Sequence, residues 1–230
     1  VCNANCIGCI SLQTQNNLCA CQERIGFTPT PEEIAQVSYE HISTVKNAVV
    51  SFGQGCEGEP LTAFKAIEPA IGLIRKKTDK GTINLNTNAS LPDCVEQLCQ
   101  AGLDSMRVSL NSVRENCYNA YFRPRSYQFS DVLKSIQIAK QQGKFVSINY
   151  LNCPGFTDSQ KEFAALKEFI HTYKIDMIQW RNLNFDLKKY CDLMLKIEDS
   201  GRPLGMETII EKLATRFPSL IHGYFNPPLC

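Results

Sequence analysis

Short apolar runs alternate with helical patterns along most of this 230-residue chain. The alternation predicts five strands, each followed by helical or mixed sequence: Ala48–Phe52, Thr82–Thr87, Met106–Leu110, Phe145–Leu151 and Met177–Leu183. Strands that are joined through helices lie parallel in one sheet. The order of elements therefore predicts an α/β fold.

The predicted helices have recognisable ends. Thr30 can cap a helix that begins at Pro31, and Glu33 completes a capping box. Gly102 and Gly143 stop two later helices. The predicted helices are Pro31–His41, Thr62–Lys77, Pro92–Ala101, Ser130–Gln142 and Asp158–Tyr173, with two more between residues 186 and 218. Residues 224–230 are expected to be irregular.

The charges of the chain are nearly balanced, with 24 Lys and Arg residues against 23 Asp and Glu residues and a net charge of +1. A nucleic-acid partner needs clustered basic residues, so it is disfavoured. No apolar run is long enough to cross a membrane. Because nothing at the start resembles a signal peptide, we expect a reducing compartment, the cytoplasm.

Half of the twelve cysteines fall in the first quarter of the chain. Cys2, Cys6 and Cys9 have the spacing C-x3-C-x2-C. Three thiolates on one short loop can hold three irons of a cubane cluster and leave the fourth iron open. The alternatives are a zinc site completed by a distant cysteine or histidine, and three unrelated thiols. The later six cysteines are expected to be small buried hydrophobic residues.

The cysteine spacing resembles the loop that defines the radical S-adenosylmethionine (SAM) superfamily. The resemblance implies a [4Fe–4S] cluster on Cys2, Cys6 and Cys9, with SAM bound at its open iron and cleaved to a 5′-deoxyadenosyl radical. That family places an aromatic residue near the adenine, just before the third cysteine. Gly8 stands there in this chain, so the adenine contact is expected from elsewhere, such as Ile7 or Ile10.

Later motifs resemble the same family in the same order, and each follows a predicted strand. Gly58-Glu59-Pro60 resembles the motif that receives the ammonium group of SAM, although Glu57 replaces a glycine there. Asn86-Thr87-Asn88 resembles the motif near the ribose and the carboxylate. The strand that contains Ser109 and Asn111 resembles another strand of the family, although Asn111 replaces the usual aspartate, and the resemblance implies that both residues lie near the cofactor. Asn149 and Gln179 are expected, by position, to add polar groups to the same pocket. Ordinary strand-to-helix turns remain an alternative for these motifs.

The resemblance implies a partial (β/α)6 TIM-like barrel with a core over residues 1–185 and a helical extension over residues 186–230. The family's first strand precedes the cysteine loop, so it is expected to be missing from this segment. Cys56 follows the first predicted strand, at the catalytic end of such a barrel. It is a candidate hydrogen-atom donor or metal ligand, or only a small residue in a turn. Whether Cys19, Cys21, Cys56 or Cys230 ligates a second cluster stays open.

The function implied is a radical SAM enzyme, an oxidoreductase, transferase or activase, that abstracts hydrogen from a small molecule or peptide. Its electron donor would be a flavodoxin or ferredoxin. The alternative is a degenerate or non-catalytic module that binds zinc or an iron–sulfur cluster for interaction alone. Gly8 and Glu57 are the departures that keep this alternative open.

Overall fold

The computed structural model of the protein describes residues 2–9, 26–53, 58–183, 185–197, 201–223 and 225–229. Its centre is a parallel sheet in which each strand pairs with the next along the chain. The strands are β1 Val49–Phe52, β2 Thr82–Thr87, β3 Ser105–Leu110, β4 Phe145–Asn152, β5 Met177–Asn182 and β6 Ile221–His222. This arrangement is that of a partial (β/α)6 barrel, and the predicted α/β fold is confirmed.

The helices follow the strands as expected. They are α1 Pro31–Thr44, α2 Phe64–Arg75, α3 Pro92–Ala101, α4 Glu115–Phe122, α5 Phe129–Gln141, α6 Gln160–Tyr173, α7 Leu187–Ile197 and α8 Met206–Arg216. A short 3-10 helix, Pro60–Ala63, precedes α2. The capping box at the start of α1 is present, since the Thr30 hydroxyl accepts from the Glu33 amide and the Glu33 carboxylate accepts from the Thr30 amide.

Two elements differ from the sequence prediction. The stretch predicted as mixed sequence after β3 contains α4, which ends at Arg123 in a left-handed conformation. The segment predicted as a helical extension also contributes β6, which pairs in parallel with the start of β5. A two-residue strand is too short to produce a periodic pattern. The division into a core and an extension stays a prediction.

The two faces of the sheet differ in polarity because side chains alternate along each strand. One face is fully buried beneath the helices, with Ile83, Leu85, Met106, Val108, Val146 and Ile148. The opposite, inner face is polar: the Ser105 hydroxyl donates to Asn84 at 2.8 Å. Arg107 donates to Ser147 at 3.2 Å and also to Gln179. The barrel interior can therefore hold polar groups.

A fully buried carboxylate joins the ends of β3 and β4 to α6. Glu162 accepts hydrogen bonds from the Ser112 hydroxyl at 2.9 Å, from Arg114 Nε at 2.7 Å and from the Tyr150 hydroxyl. An ionised group without solvent needs such partners. The network fixes the carboxyl ends of two central strands, close to several of the predicted site residues.

Among the described helices, none has the length and apolar character that a membrane-spanning segment needs. The positions Ile10, Cys19, Cys21, Cys56, Glu57 and Cys230 lie outside the described residues, so the predictions made for them stay predictions.

Candidate functional site

The cysteine loop runs beside the end of α4 and is fastened to it by backbone hydrogen bonds. The amide of Asn5 donates to the carbonyl of Phe122 at 3.0 Å, and the amide of Ile7 donates to the carbonyl of Tyr121 at 3.0 Å. Ala4, which precedes Asn5, is buried and pairs with Pro124 in an isolated antiparallel bridge. These contacts hold the loop in one place relative to the barrel.

The three cysteines of this loop are half-buried, and their thiols are close enough to influence one another. Burial, followed by the charges of Cys2 and Cys9, raises the pKa of Cys6 to about 12. Thiolates that repel one another in a partly buried loop favour a bound cation, and soft thiolates suit iron–sulfur clusters. The donor set thus fits such a cluster, although no three Cys, His, Asp or Glu side chains in the described ranges stand in metal-holding geometry.

Glu59 lies at the end of the loop that follows β1, where it caps the 3-10 helix. Its buried carboxylate accepts from the Leu61 amide at 3.1 Å, the Asn88 amide at 2.7 Å and the Thr87 hydroxyl. Burial raises its pKa to about 7, while the three donors pull the pKa down. Glu59 therefore joins this loop to the end of β2, and both of its oxygens accept hydrogen bonds from the protein itself.

The end of β2 also contacts the cysteine loop directly. The Asn88 side chain donates to the side-chain oxygen of Asn3 at 2.9 Å, and the side-chain nitrogen of Asn3 donates to the Ser90 hydroxyl at 2.8 Å. Asn3 was not among the predicted site residues; its position between two cysteines was the available signal. Glu59, Asn88 and Asn3 thus form a continuous chain of contacts from the first strand's loop to the cysteines.

Three of the predicted polar residues lie side by side on the inner face of the sheet. Ser109 of β3 pairs in register with Asn149 of β4, which pairs with Gln179 of β5. The side-chain oxygen of Asn149 is buried and accepts no hydrogen bond within the described part of the chain. Asn86 lies on the same face, where its side-chain oxygen accepts from Asn84 at 3.1 Å. This row can therefore offer hydrogen bonds to a polar ligand.

Asn111 lies in a different environment from the other predicted residues. It is fully buried, and its side chain donates to the carbonyl of Cys117 at 3.1 Å and to the Tyr190 hydroxyl at 3.3 Å. It therefore joins the end of β3 to α4 and α7. The structure does not place it in the row formed by Ser109, Asn149 and Gln179.

Tyr121 of α4 is a residue of this region that the sequence analysis missed. A Cβ atom added to Gly8 would lie 2.6 Å from the Tyr121 hydroxyl oxygen and 3.3 Å from Cβ of Phe185. The tyrosine side chain thus occupies the space in which a side chain at position 8 would begin. Burial, together with the charges of Cys6 and Cys9, raises the pKa of Tyr121 well above its ordinary value.

Comparisons with solved structures show the same fold in other proteins. SuiB of Streptococcus suis matches with a TM-score of 0.65 and 15% identity over 98% of this chain and 47% of SuiB. anSMEcpe with bound AdoMet matches with a TM-score of 0.64 and 17% identity over 96% of this chain and 60% of anSMEcpe. A radical SAM methyltransferase from Sphaerobacter thermophilus gives a TM-score of 0.61 and 16% identity over 97% of this chain and 63% of that chain.

These solved chains are longer than the present one, which spans about half the length of SuiB. No curated protein sequence matches the chain. The model of the Radical SAM superfamily matches residues 1–166, which is more than half of the chain. The matched part includes the cysteine loop, Glu59 and the inner-face row as far as Asn149. The chain therefore belongs to the radical SAM superfamily.

Proposed function

We propose that this chain is a radical SAM enzyme that binds a [4Fe–4S] cluster on Cys2, Cys6 and Cys9. When bound, the cluster would supply the electron that cleaves SAM to a 5′-deoxyadenosyl radical, which abstracts hydrogen from the substrate. The observation that supports this proposal most is the chain of contacts from Glu59 through Asn88 to Asn3. It fastens the loop that carries Cys2, Cys6 and Cys9 to the end of β2.

The residues around the loop have separate tasks in this proposal. The contacts of Asn3 and of the α4 end hold the cysteine loop against the barrel. We propose that Gly58, Glu59 and Pro60 shape the position for the ammonium group of SAM. Asn86, Thr87, Asn88, Ser109, Asn149 and Gln179 are proposed to surround its polar groups. The buried oxygen of Asn149 is an acceptor suited to a hydroxyl or ammonium donor of the ligand.

The substrate is proposed to be a peptide or a small molecule. SuiB has been solved with the precursor peptide SuiA, with 46% of its chain matched, and anSMEcpe has been solved with the Kp18Cys peptide. These neighbours support a peptide, while the methyltransferase shows that the fold serves other reactions too. Reductive cleavage needs one electron from outside, for which we propose a flavodoxin or ferredoxin. A cytoplasmic location would keep the thiols reduced.

The test is anaerobic reconstitution with iron and sulfide, followed by dithionite and SAM. We expect a brown protein that releases 5′-deoxyadenosine. Cys6→Ser should abolish the release, whereas Cys94→Ser, which changes a half-buried thiol of α3, should retain it. A colourless, zinc-loaded protein that releases no 5′-deoxyadenosine would support the metal-binding interaction module. Binding of SAM without cleavage would support a degenerate member of the family.

A further inference from the structure

Two thiols outside the cysteine loop lie close together at the carboxyl end of the sheet. The sulfur atoms of Cys153 and Cys191 are 3.8 Å apart, although 38 positions separate the two residues in the chain. Cys153 follows directly after β4 and is buried, whereas Cys191 belongs to α7 and is half-buried. Neither residue takes part in the function proposed above.

Both residues are held by well-defined local structure. The Cys153 amide donates to the Thr157 hydroxyl at 2.8 Å, and the Cys153 carbonyl accepts from the amides of Phe156 and Thr157. The neighbour of Cys191, Tyr190, is buried with its ring edge-on to Phe156 at 5.8 Å. The juxtaposition of the two sulfurs therefore follows from packing on both sides. A disulfide needs sulfurs about 2 Å apart, which modest side-chain rotation from 3.8 Å can reach.

We propose that Cys153 and Cys191 form a thiol–disulfide exchange site whose co-reactant is a small-molecule disulfide. Cys191, the more accessible thiol, attacks the external disulfide as a thiolate, forms a mixed disulfide and releases one thiol. Cys153 then loses its proton and attacks the Cys191 sulfur, which releases the second thiol. Two protein thiols are oxidised by two electrons to one disulfide, and the external disulfide is reduced to two thiols.

The order of these steps follows from the surroundings of the two thiols. Burial, then the charge of Cys191, raises the pKa of Cys153 to about 12. A buried thiol of this kind is a poor first nucleophile but can react with a sulfur already beside it. The disulfide would fasten α7 to the end of β4. Tyr190 of α7 contacts the ring of Tyr121 in α4, the helix beside the cysteine loop. The same disulfide would therefore restrain that helix as well.

The experiment treats the full chain, purified reduced, with oxidised glutathione; remaining thiols are then alkylated and the peptides mapped by mass spectrometry. We expect a cross-linked peptide pair containing Cys153 and Cys191. The cross-link should also raise Tm by roughly 5–15 °C, reversibly with dithiothreitol, because it closes a loop of 38 residues.

Variants assign the roles of the two thiols. Cys153→Ala should keep glutathione on Cys191 as an unresolved mixed disulfide, and Cys191→Ala should abolish the cross-link. Cys94→Ala, a matched change at a half-buried thiol of α3, should leave the cross-link intact. A wild-type protein in which both residues are alkylated after oxidation would overturn the proposal, as would one that keeps glutathione on Cys191. Neither outcome depends on the cluster or on SAM, so the function proposed above is tested separately.

Discussion

Substitution of Gly8 by alanine tests how Tyr121 packs against the cysteine loop. The added Cβ would lie 2.6 Å from the Tyr121 hydroxyl oxygen, whereas ordinary contact begins near 3.4 Å. The hydroxyl would therefore have to move by about 0.8 Å, and Tyr121 is only 7% exposed. Crowding of this kind costs about 1–3 kcal/mol. Gly8 is not among the glycines with positive φ, so alanine imposes no backbone strain that would add to this cost.

Removal of the obstructing oxygen should relieve the clash. In Tyr121→Phe, the nearest ring carbon lies 3.4 Å from the added Cβ, an ordinary contact, and Phe185 at 3.3 Å needs to move by only a few tenths of an ångström. Replacing glycine at a compatible position stabilises a protein by about 0.4–1 kcal/mol through the unfolded chain. We therefore expect Gly8→Ala to be close to neutral in the Tyr121→Phe background. The coupling energy between the two sites should be about 1–3 kcal/mol.

The assay is urea denaturation of the four proteins of this double-mutant cycle. Gly72→Ala in α2 is the matched control, because an added Cβ there has no neighbour within 4 Å. It should stabilise the chain by roughly 0.5–1 kcal/mol. Equal costs of Gly8→Ala in both backgrounds would refute the reasoning, since the hydroxyl of Tyr121 would then not be the obstacle.

Three further predictions follow from the buried polar contacts. Glu162→Ala should lower the free energy of unfolding by about 3–5 kcal/mol in urea denaturation, because it removes the buried charge that Arg114 contacts. Burial raises the pKa of Glu59 from 4.5 to about 7, so its contribution to stability is full below pH 4.5 and is lost as pH rises through 7. Relative to Glu59→Gln, the wild-type unfolding free energy should fall by roughly 3 kcal/mol over this range, and a constant difference would contradict the assignment. Asn88→Ala should speed iron loss from the reconstituted protein to a chelator, because Asn3 loses its hydrogen bond. An unchanged rate would show that Asn88 does not hold the cysteine loop in place.

Local patterns predicted much of the fold because they depend on neighbouring residues. β2 and α3 begin and end where the sequence placed them, and Gly102 ends α3 in a left-handed conformation that suits glycine. Two elements were missed for physical reasons. α4 has only eight residues, and β6 has two residues whose pairing with β5, distant in the chain, depends on tertiary packing.

The candidate site, like the fold, was predictable only in part. The three cysteines were predicted from their spacing, and the polar residues at the strand ends were predicted from local motifs and from their positions after strands. The contacts that assemble them join distant parts of the chain: Asn3 meets Asn88, and Gly8 meets Tyr121. Asn111 was placed in the pocket from its position just after β3, and its assignment there stays a prediction; its side chain donates to the Cys117 carbonyl and the Tyr190 hydroxyl, contacts that depend on the packing of α4 and α7. Such contacts depend on tertiary packing, which a single sequence does not display.

The most direct test of the central claim is the electron paramagnetic resonance spectrum of the reconstituted, dithionite-reduced protein before and after addition of SAM. A cluster held by Cys2, Cys6 and Cys9 alone leaves one iron open to the ligand. We therefore predict a reduced [4Fe–4S] signal that changes its g-values when SAM is added. A signal that SAM leaves unchanged, or a protein that gives no cluster signal, would contradict the account.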